Sequence, residues 1–204
     1  MPFGLSPAPV FRGILPKWPA ILFAASLLAV AVLPARGASS AEDLWNALRQ
    51  PDHFALMRHA TAPGTGDPDN FRLGDCSTQR NLSQGGREQA RRTGEAFRAK
   101  GLSFAAVYSS AWCRCLDTAR LLGFGEPQVL ASLNSFFEDR SAGPAQTRRL
   151  RSEIQAMDLS RPVMFVTHQV NVTALSGVYP RSGEIVVMRR MPGGGLETLG
   201  SLRP

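Results

Sequence analysis

The 204-residue chain holds three histidines, and two of them stand directly after apolar runs. Arg58-His59 closes the run that begins at His53, and His168 closes Val163 to Thr167. A second arginine, Arg114, follows the Ser109-Ser110 pair. These residue types suit chemistry on a tetrahedral dianion. A guanidinium presents forked donors that match its oxygens. A neutral imidazole can attack the central atom, provided one ring nitrogen is free and the other holds its proton. A second imidazole adds a donor, and a positive charge beside the dianion. His59 is the expected nucleophile, with Arg58, Arg114 and His168 gripping the oxygens. The backbone from Gln169 to Asn171 opens a helix and adds amide donors.

Such residues must be brought together by the elements that carry them. Four apolar runs read as buried strands: His53 to Met57, Phe104 to Tyr108, Gln128 to Leu133 and Val163 to Thr167. Ile185 to Met188 is a fifth, and Leu196 to Leu199 returns from a turn at Pro192 to Gly195. Helices are expected at Ala41 to Leu48 with Ser40 as N-cap, and at Gln84 to Lys100 between Ser83 and Gly101. Further helices are expected at Ala111 to Leu122, ending at Gly123, at Ala145 to Met157, and from Asn171 to Leu175. Ala62 to Asn70, rich in Gly, Pro and Asp, is a loop. Strands alternate with helices, and the strands are continuous apolar runs. That predicts an α/β fold, a three-layer α/β/α sandwich around a mainly parallel sheet. Ligands of such sheets bind beyond the carboxyl ends of the strands, where Arg58-His59, Ser109-Ser110 and His168 fall. Arg114 lies in the first turn of the helix after the second strand, at an end that itself favours anions.

Four segments, in order, resemble the histidine phosphatase superfamily, the phosphoglycerate mutase-like group. They are Leu56-Met57-Arg58-His59-Ala60-Thr61, Arg80 to Ala90 with its Leu82-Ser83, Gly86 and Gln89-Ala90, Tyr108 to Ala119 with Ser109-Ser110, Arg114 and Thr118-Ala119, and Val166-Thr167-His168. The likeness spans about residues 53 to 190. It implies that fold, hydrolysis of phosphate monoesters through a phosphohistidine on His59, and a main-chain carbonyl fixing the tautomer of His59. It also implies a carboxylic acid after the third strand that protonates the leaving alcohol. Glu138 is the expected donor, Asp139 its neighbour is the alternative, and Asp67, Asp69 and Asp75 are further candidates. No metal and no cofactor is implied. A phosphoryl mutase and a non-catalytic anion-binding relic are the competing readings of the same residues. Arg80 and Arg87 read as surface charges, Ser110 as a helix cap, and Trp112, Phe136 and Phe137 as packing.

The formal charge is +7, but three basic residues, Arg12, Lys17 and Arg36, precede Ala38 while no acidic residue does. The remainder carries 20 basic and 16 acidic residues, or +4, with no polybasic tail, which excludes a nucleic-acid partner. Residues 1–37 read as an export signal: early positive charge, an uncharged apolar run from Ala20 to Leu33, Pro34, then Ala35-Arg36-Gly37 before the cleavage point. The run is short for a membrane span, so no stable membrane insertion is expected after cleavage. An uncleaved anchor is the other reading. Either way residues 38–204, one domain, lie outside the cytoplasm, in the periplasm or secreted. The expected partner is a small-molecule or envelope-sugar phosphate ester, and the sequence sets no oligomeric state. In an oxidising compartment Cys76 can bridge to Cys113 or Cys115. The cysteine spacing fits no zinc pattern.

Overall fold

The computed structural model describes residues 1–4, 8–10, 13 and 39–204. The expected export segment lies almost wholly outside the described residues. The chain divides into two compact units, Met1–Arg36 and Gly37–Pro204, and every element below belongs to the second. Among the described residues no helix is long and apolar enough to cross a membrane.

In chain order the elements are α1 (Ala41–Ala47), β1 (His53–Arg58), α2 (Gln84–Ala99), β2 (Ala106–Ser109), α3 (Cys113–Leu122), β3 (Gln128–Val129), α4 (Gly143–Ala156), β4 (Val163–Thr167), α5 (Gln169–Ser176), β5 (Ile185–Arg190) and β6 (Leu196–Leu202). The expected caps set their ends. Ser40 and Asp43 form a reciprocal capping box on α1, and the Ser83 hydroxyl accepts the Gly86 amide to start α2. Gly101 (φ +66°) and Gly123 (φ +75°) take the left-handed conformation that ends α2 and α3.

The six strands form one sheet in the order β3-β2-β4-β1-β5-β6. Pairings β1–β4, β2–β4 and β2–β3 are parallel, while β1–β5 and β5–β6 are antiparallel. The sheet is therefore mostly parallel only in its β3-β2-β4-β1 half. The β5–β6 pairing is antiparallel because the turn at Met191 to Gly195 is too short for a crossover, and there the Met191 amide donates to the Gly195 carbonyl.

Alternate residues of each central strand feed two cores. Ala55, Met57, Val107, Met164, Val166 and Val187 face α1, α2 and α3, meeting Trp45, Phe97 and Leu122. Phe54, Leu56, Phe165, Val186 and Met188 face α4 and α5, meeting Leu150, Ile154 and Val172. This double burial is why the strands read as unbroken apolar runs.

The third strand is shorter than its sequence suggests. Gln128 to Leu133 reads as one strand, but only Gln128–Val129 pair, and Ala131–Leu133 turn into a 3-10 helix. Its partner β2 ends at Ser109, whose carbonyl takes the Leu130 amide as the last ladder bond. Beyond it the chain has no strand to pair with, and Leu133 turns into the core beside α4.

Cys76 is bonded to Cys113, leaving Cys115 free and buried. The bridge closes a loop of sequence separation 37, which restricts the unfolded chain and stabilises the fold by roughly 4 kcal/mol. Reduction under native conditions is expected to lower the melting temperature by about 10 °C, measured by circular dichroism with and without dithiothreitol.

Candidate active site

Strand register brings the two histidines together. In the parallel β1–β4 pair, Arg58 lies opposite Thr167, so His59 and His168 leave the sheet side by side. The His59 amide donates to the Thr167 carbonyl (2.9 Å), and the Ser110 amide to the Val166 carbonyl (3.1 Å). The rings of His59 and His168 have centroids 5.5 Å apart at 69°. Both are nearly solvent-inaccessible, yet both line a cavity of about 400 Å³ at the carboxyl ends of the strands.

The segments flagged in the sequence mostly clamp the backbone that follows β1. Thr118 Oγ1 accepts the Ala60 amide (3.0 Å) and donates to the Arg114 carbonyl (2.7 Å). Gln89 Oε1 accepts the Thr61 amide (3.0 Å), and its Nε2 reaches the Ser182 carbonyl. The Ser83 amide donates to the Thr61 carbonyl. Gly86 lies so close to Thr61 that a Cβ would stand 2.1 Å from that carbonyl oxygen, so only glycine fits. Residues 59 to 61 are thereby fixed from α2 and α3 at once.

His59 Nδ1 lies 2.8 Å from its neighbour's carbonyl, Ala60 O. A carbonyl only accepts, so Nδ1 carries the proton and Nε2 keeps its lone pair. Burial, together with the charges of Arg114, Arg58 and Arg80, pushes His59 down to about 3. Its ring is neutral at any physiological pH.

His168 is ordered by a relay. A terminal N–H of Arg114 approaches its Nδ1 (3.4 Å), and since arginine only donates, Nδ1 accepts. Nε2–H then donates to Ser110 Oγ (2.9 Å), which passes its own proton toward Asn134 Oδ1 (3.3 Å). Ser110, read from sequence as a helix cap, is thus chiefly the partner of His168; the cap position of α3 belongs to Trp112. Burial, then His59 and the nearby arginines, drive His168 well below the usual imidazole range. A buried ring beside three guanidiniums resists charging, and the positive charge expected of it requires a dianion beside it. The Cys115 Sγ, 3.5 Å from Nε2, remains a thiol, pushed up to about 12 chiefly by burial.

Three guanidiniums line the cavity, not two. Arg58 donates to the Pro180 carbonyl (3.0 Å). Arg114 is almost fully buried in the first turn of α3. Arg80, expected on the surface, instead lines the cavity and donates to the carbonyls of Gly66 (2.7 Å) and Ala62. Arg87 does lie on the surface, 4.0 Å from Asp117. Position within the Arg80 to Ala90 segment was the available signal for Arg80. Burial lowers both Arg58 and Arg80 from the usual guanidinium range. Nε of Arg58 and Nε of Arg114 are buried without a partner among the described residues. Gln169 also lines the cavity as the first residue of α5, its side chain bonded to Thr173 and its amide at the open helix end.

The carboxylates separate by what they already bind. Asp139 and Glu138 both line the cavity. Asp139 accepts the Ser141 amide and hydroxyl, which hold it below the usual carboxylate range. Asp75 likewise caps Cys76–Thr78. Asp67, a lesser candidate in the sequence, grips Arg114 with both oxygens, at 2.7 and 3.1 Å. Burial raises Asp67, but its bonds from Arg114, Arg80 and Trp112 outweigh that and leave it lowered. Glu138 makes no hydrogen bond or ion pair among the described residues, and Oε1 faces Gly66 across the mouth. Trp112 also lines the cavity and donates to Asp67 Oδ2 (3.0 Å), so it does more than pack. Phe137 lines the cavity too, whereas Phe136 is buried against Gly143. No three His, Cys, Asp or Glu side chains converge as metal ligands among the described residues. Three guanidiniums share the wall with Asp67, Glu138 and Asp139, and the guanidiniums suit an anion.

The profile of the histidine phosphatase superfamily (branch 1) matches residues 54–177. The chain belongs to that superfamily, a group of phosphatases and mutases. Its fold is similar to that of the protein histidine phosphatase SixA complexed with tungstate (15% identity, TM-score 0.54, 74% of this chain and 97% of that one). It is also similar to the product of open reading frame Rv3214 from Mycobacterium tuberculosis (18%, 0.53, 72% and 96%). A putative phosphohistidine phosphatase SixA from Agrobacterium tumefaciens aligns likewise (18%, 0.51, 76% and 99%). No curated protein matches the chain.

The neutral histidines tie stability to pH. His59, lowered from 6.5 to about 3, takes up a proton on unfolding anywhere between those values. Stability is therefore fully present above about 6.5 and is lost as pH falls toward 3, at about 1.4 kcal/mol per pH unit for each such group. Denaturant midpoints measured from pH 7 to 4 are expected to fall steadily, and His59→Ala is expected to flatten the slope.

Proposed function

We propose that this chain hydrolyses phosphate monoesters through a transient phosphohistidine on His59. The observation that carries the reading is the His59 tautomer. Ala60 O holds the Nδ1 proton, which leaves Nε2 as a lone pair in a cavity walled by Arg58, Arg80 and Arg114. In the first step Nε2 attacks phosphorus and the P–O bond to the alcohol breaks. Glu138, lining the cavity with no competing partner, gives its proton to the departing alkoxide oxygen. In the second step water attacks the phosphohistidine. Glu138, now a carboxylate, takes a proton from that water, inorganic phosphate forms and Nε2 is restored. The arginines and the amide of Gln169 stabilise charge on the transferring oxygens throughout. His168, hydrogen-bonded to Arg114, becomes more basic once a dianion sits beside it, and then donates to an oxygen.

The short spacing between His59 and Arg114 and the signal-like residues 1–37 favour hydrolysis over mutase chemistry. A cavity of about 400 Å³ admits a phosphate with a sugar-sized leaving group. An envelope-sugar phosphate or a small scavenged ester is the substrate class we favour, acted on in the periplasm or after secretion. The signal-like residues 1–37 and the Cys76–Cys113 bond support an oxidising location.

His59→Ala is expected to reduce release of phosphate from an aryl phosphate by roughly three orders of magnitude or more, with the circular dichroism spectrum unchanged. Acid-labile phosphate trapped on the wild-type chain and absent from that variant would assign the intermediate; its absence from both would refute the mechanism. Glu138→Gln is expected to slow alkyl esters by about 100-fold and aryl esters far less, because a phenolate leaves without a proton. Asp139→Asn is expected to remain within about twofold of wild type, and the reverse ranking would transfer the proton donor's role to Asp139.

A further inference from the structure

Arg114 is spoken for before any substrate arrives. A guanidinium has five N–H donors, four of them on the terminal nitrogens. Two of those four go to the oxygens of Asp67, one approaches the Arg80 carbonyl (3.4 Å) and one approaches Nδ1 of His168 (3.4 Å). The fifth, on Nε, is buried. As the site stands, no fork of Arg114 is open to a phosphoryl group. The Asp67 carboxylate already sits on it in the two-oxygen geometry that a phosphate would use.

We propose that Asp67 is a specificity residue of this site, an internal carboxylate that a substrate must displace from Arg114 and that only a dianionic phosphoryl group displaces effectively. The inference rests on the phosphate-binding reading of the cavity. A phosphate monoester brings two charges and three free oxygens to Arg58, Arg80 and Arg114. A diester brings one charge, no more than the carboxylate it would replace, and so gains nothing from the exchange. Asp67 therefore sets a threshold that favours monoesters over diesters and other monoanions.

Asp67 stands on a loop and not on a helix or strand. Asp67 lies between Gly66 (φ +68°) and Pro68, three residues after Gly64 (φ +91°). Its carboxylate is otherwise held by Trp112 Nε1 (3.0 Å) and the Arg80 amide (3.1 Å). Trp112 stacks on Phe71 of the same loop, with centroids 5.2 Å apart. The loop's far end is pinned at Cys76 to Cys113, the residue before Arg114. Displacement can thus swing Asp67 without releasing the loop from α3.

The test is binding, read without turnover on the full chain. Titration calorimetry is expected to show inorganic phosphate binding Asp67→Asn at least tenfold more tightly than wild type. Dimethyl phosphate, a monoanion, should gain by a larger factor still. A folded Asp67→Asn that binds phosphate equally or more weakly would overturn the proposal, because Asp67 would then be positioning Arg114 rather than competing for it. If that variant does not fold, the wild type still decides. Saturating phosphate should shift the Trp112 indole N–H resonance as its bond to Asp67 breaks, the peak being assigned by its loss in Trp112→Phe. A resonance that stays put with phosphate bound sinks the idea. Failure of the wild type to hydrolyse any ester would remove the proposed reaction and leave these binding results standing.

Discussion

The site depends on crowding three guanidiniums around two buried imidazoles. Arg58, Arg80 and Arg114 repel one another, and burial strengthens that repulsion. An unpaired buried charge costs several kcal/mol, so each must find acceptors. Carbonyls of Pro180, Ala62, Gly66 and Arg80 take part of the load, and Asp67 supplies the one opposing charge bonded to Arg114. Burial first, and that field second, keep His59 and His168 neutral. The proposed nucleophilic role of His59 needs that state, and the three guanidiniums are the groups that would meet a phosphate dianion.

Holding this arrangement takes most of the flagged residues. Thr118, Gln89, Ser83 and Gly86 bear on residues 60 and 61 and not on any ligand. Their role is to fix the backbone whose Ala60 carbonyl sets the His59 tautomer. Ser110 and Asn134 do the corresponding work for His168. A site made of two strand ends and two helix starts is precise because its supports are themselves packed elements, not free loops.

Membership of the histidine phosphatase superfamily accounts for the sheet, the strand-end histidines and the cationic cavity. It does not choose a substrate. Two segments, residues 62 to 76 and 134 to 140, bring Asp67, Phe71, Phe137 and Glu138 to the cavity lining. The first is tied to α3 by the disulfide, so the compartment in which the chain folds bears directly on the shape of the mouth.

Local pattern alone determined much of this. Apolar runs bounded by Ser caps and Gly stops gave five strands and the helices near their true ends. The strand-end rule put Arg58, His59, Ser110 and His168 at one edge, because a chain leaving parallel strands has only one carboxyl side. The length of β3 depended on where β2 stops, which no local signal records. The antiparallel placement of β5 beside β1 is a matter of tertiary pairing that no local signal records. Which cysteine bonds Cys76, that Arg80 turns inward, that His168 is neutral and that Asp67 occupies Arg114 were decided only in three dimensions. The first is set by which sulfurs the fold brings within bonding reach, and the others by charge and burial summed over residues far apart in the chain, because the electrostatics of a buried group depend on what surrounds it, not on what adjoins it in sequence.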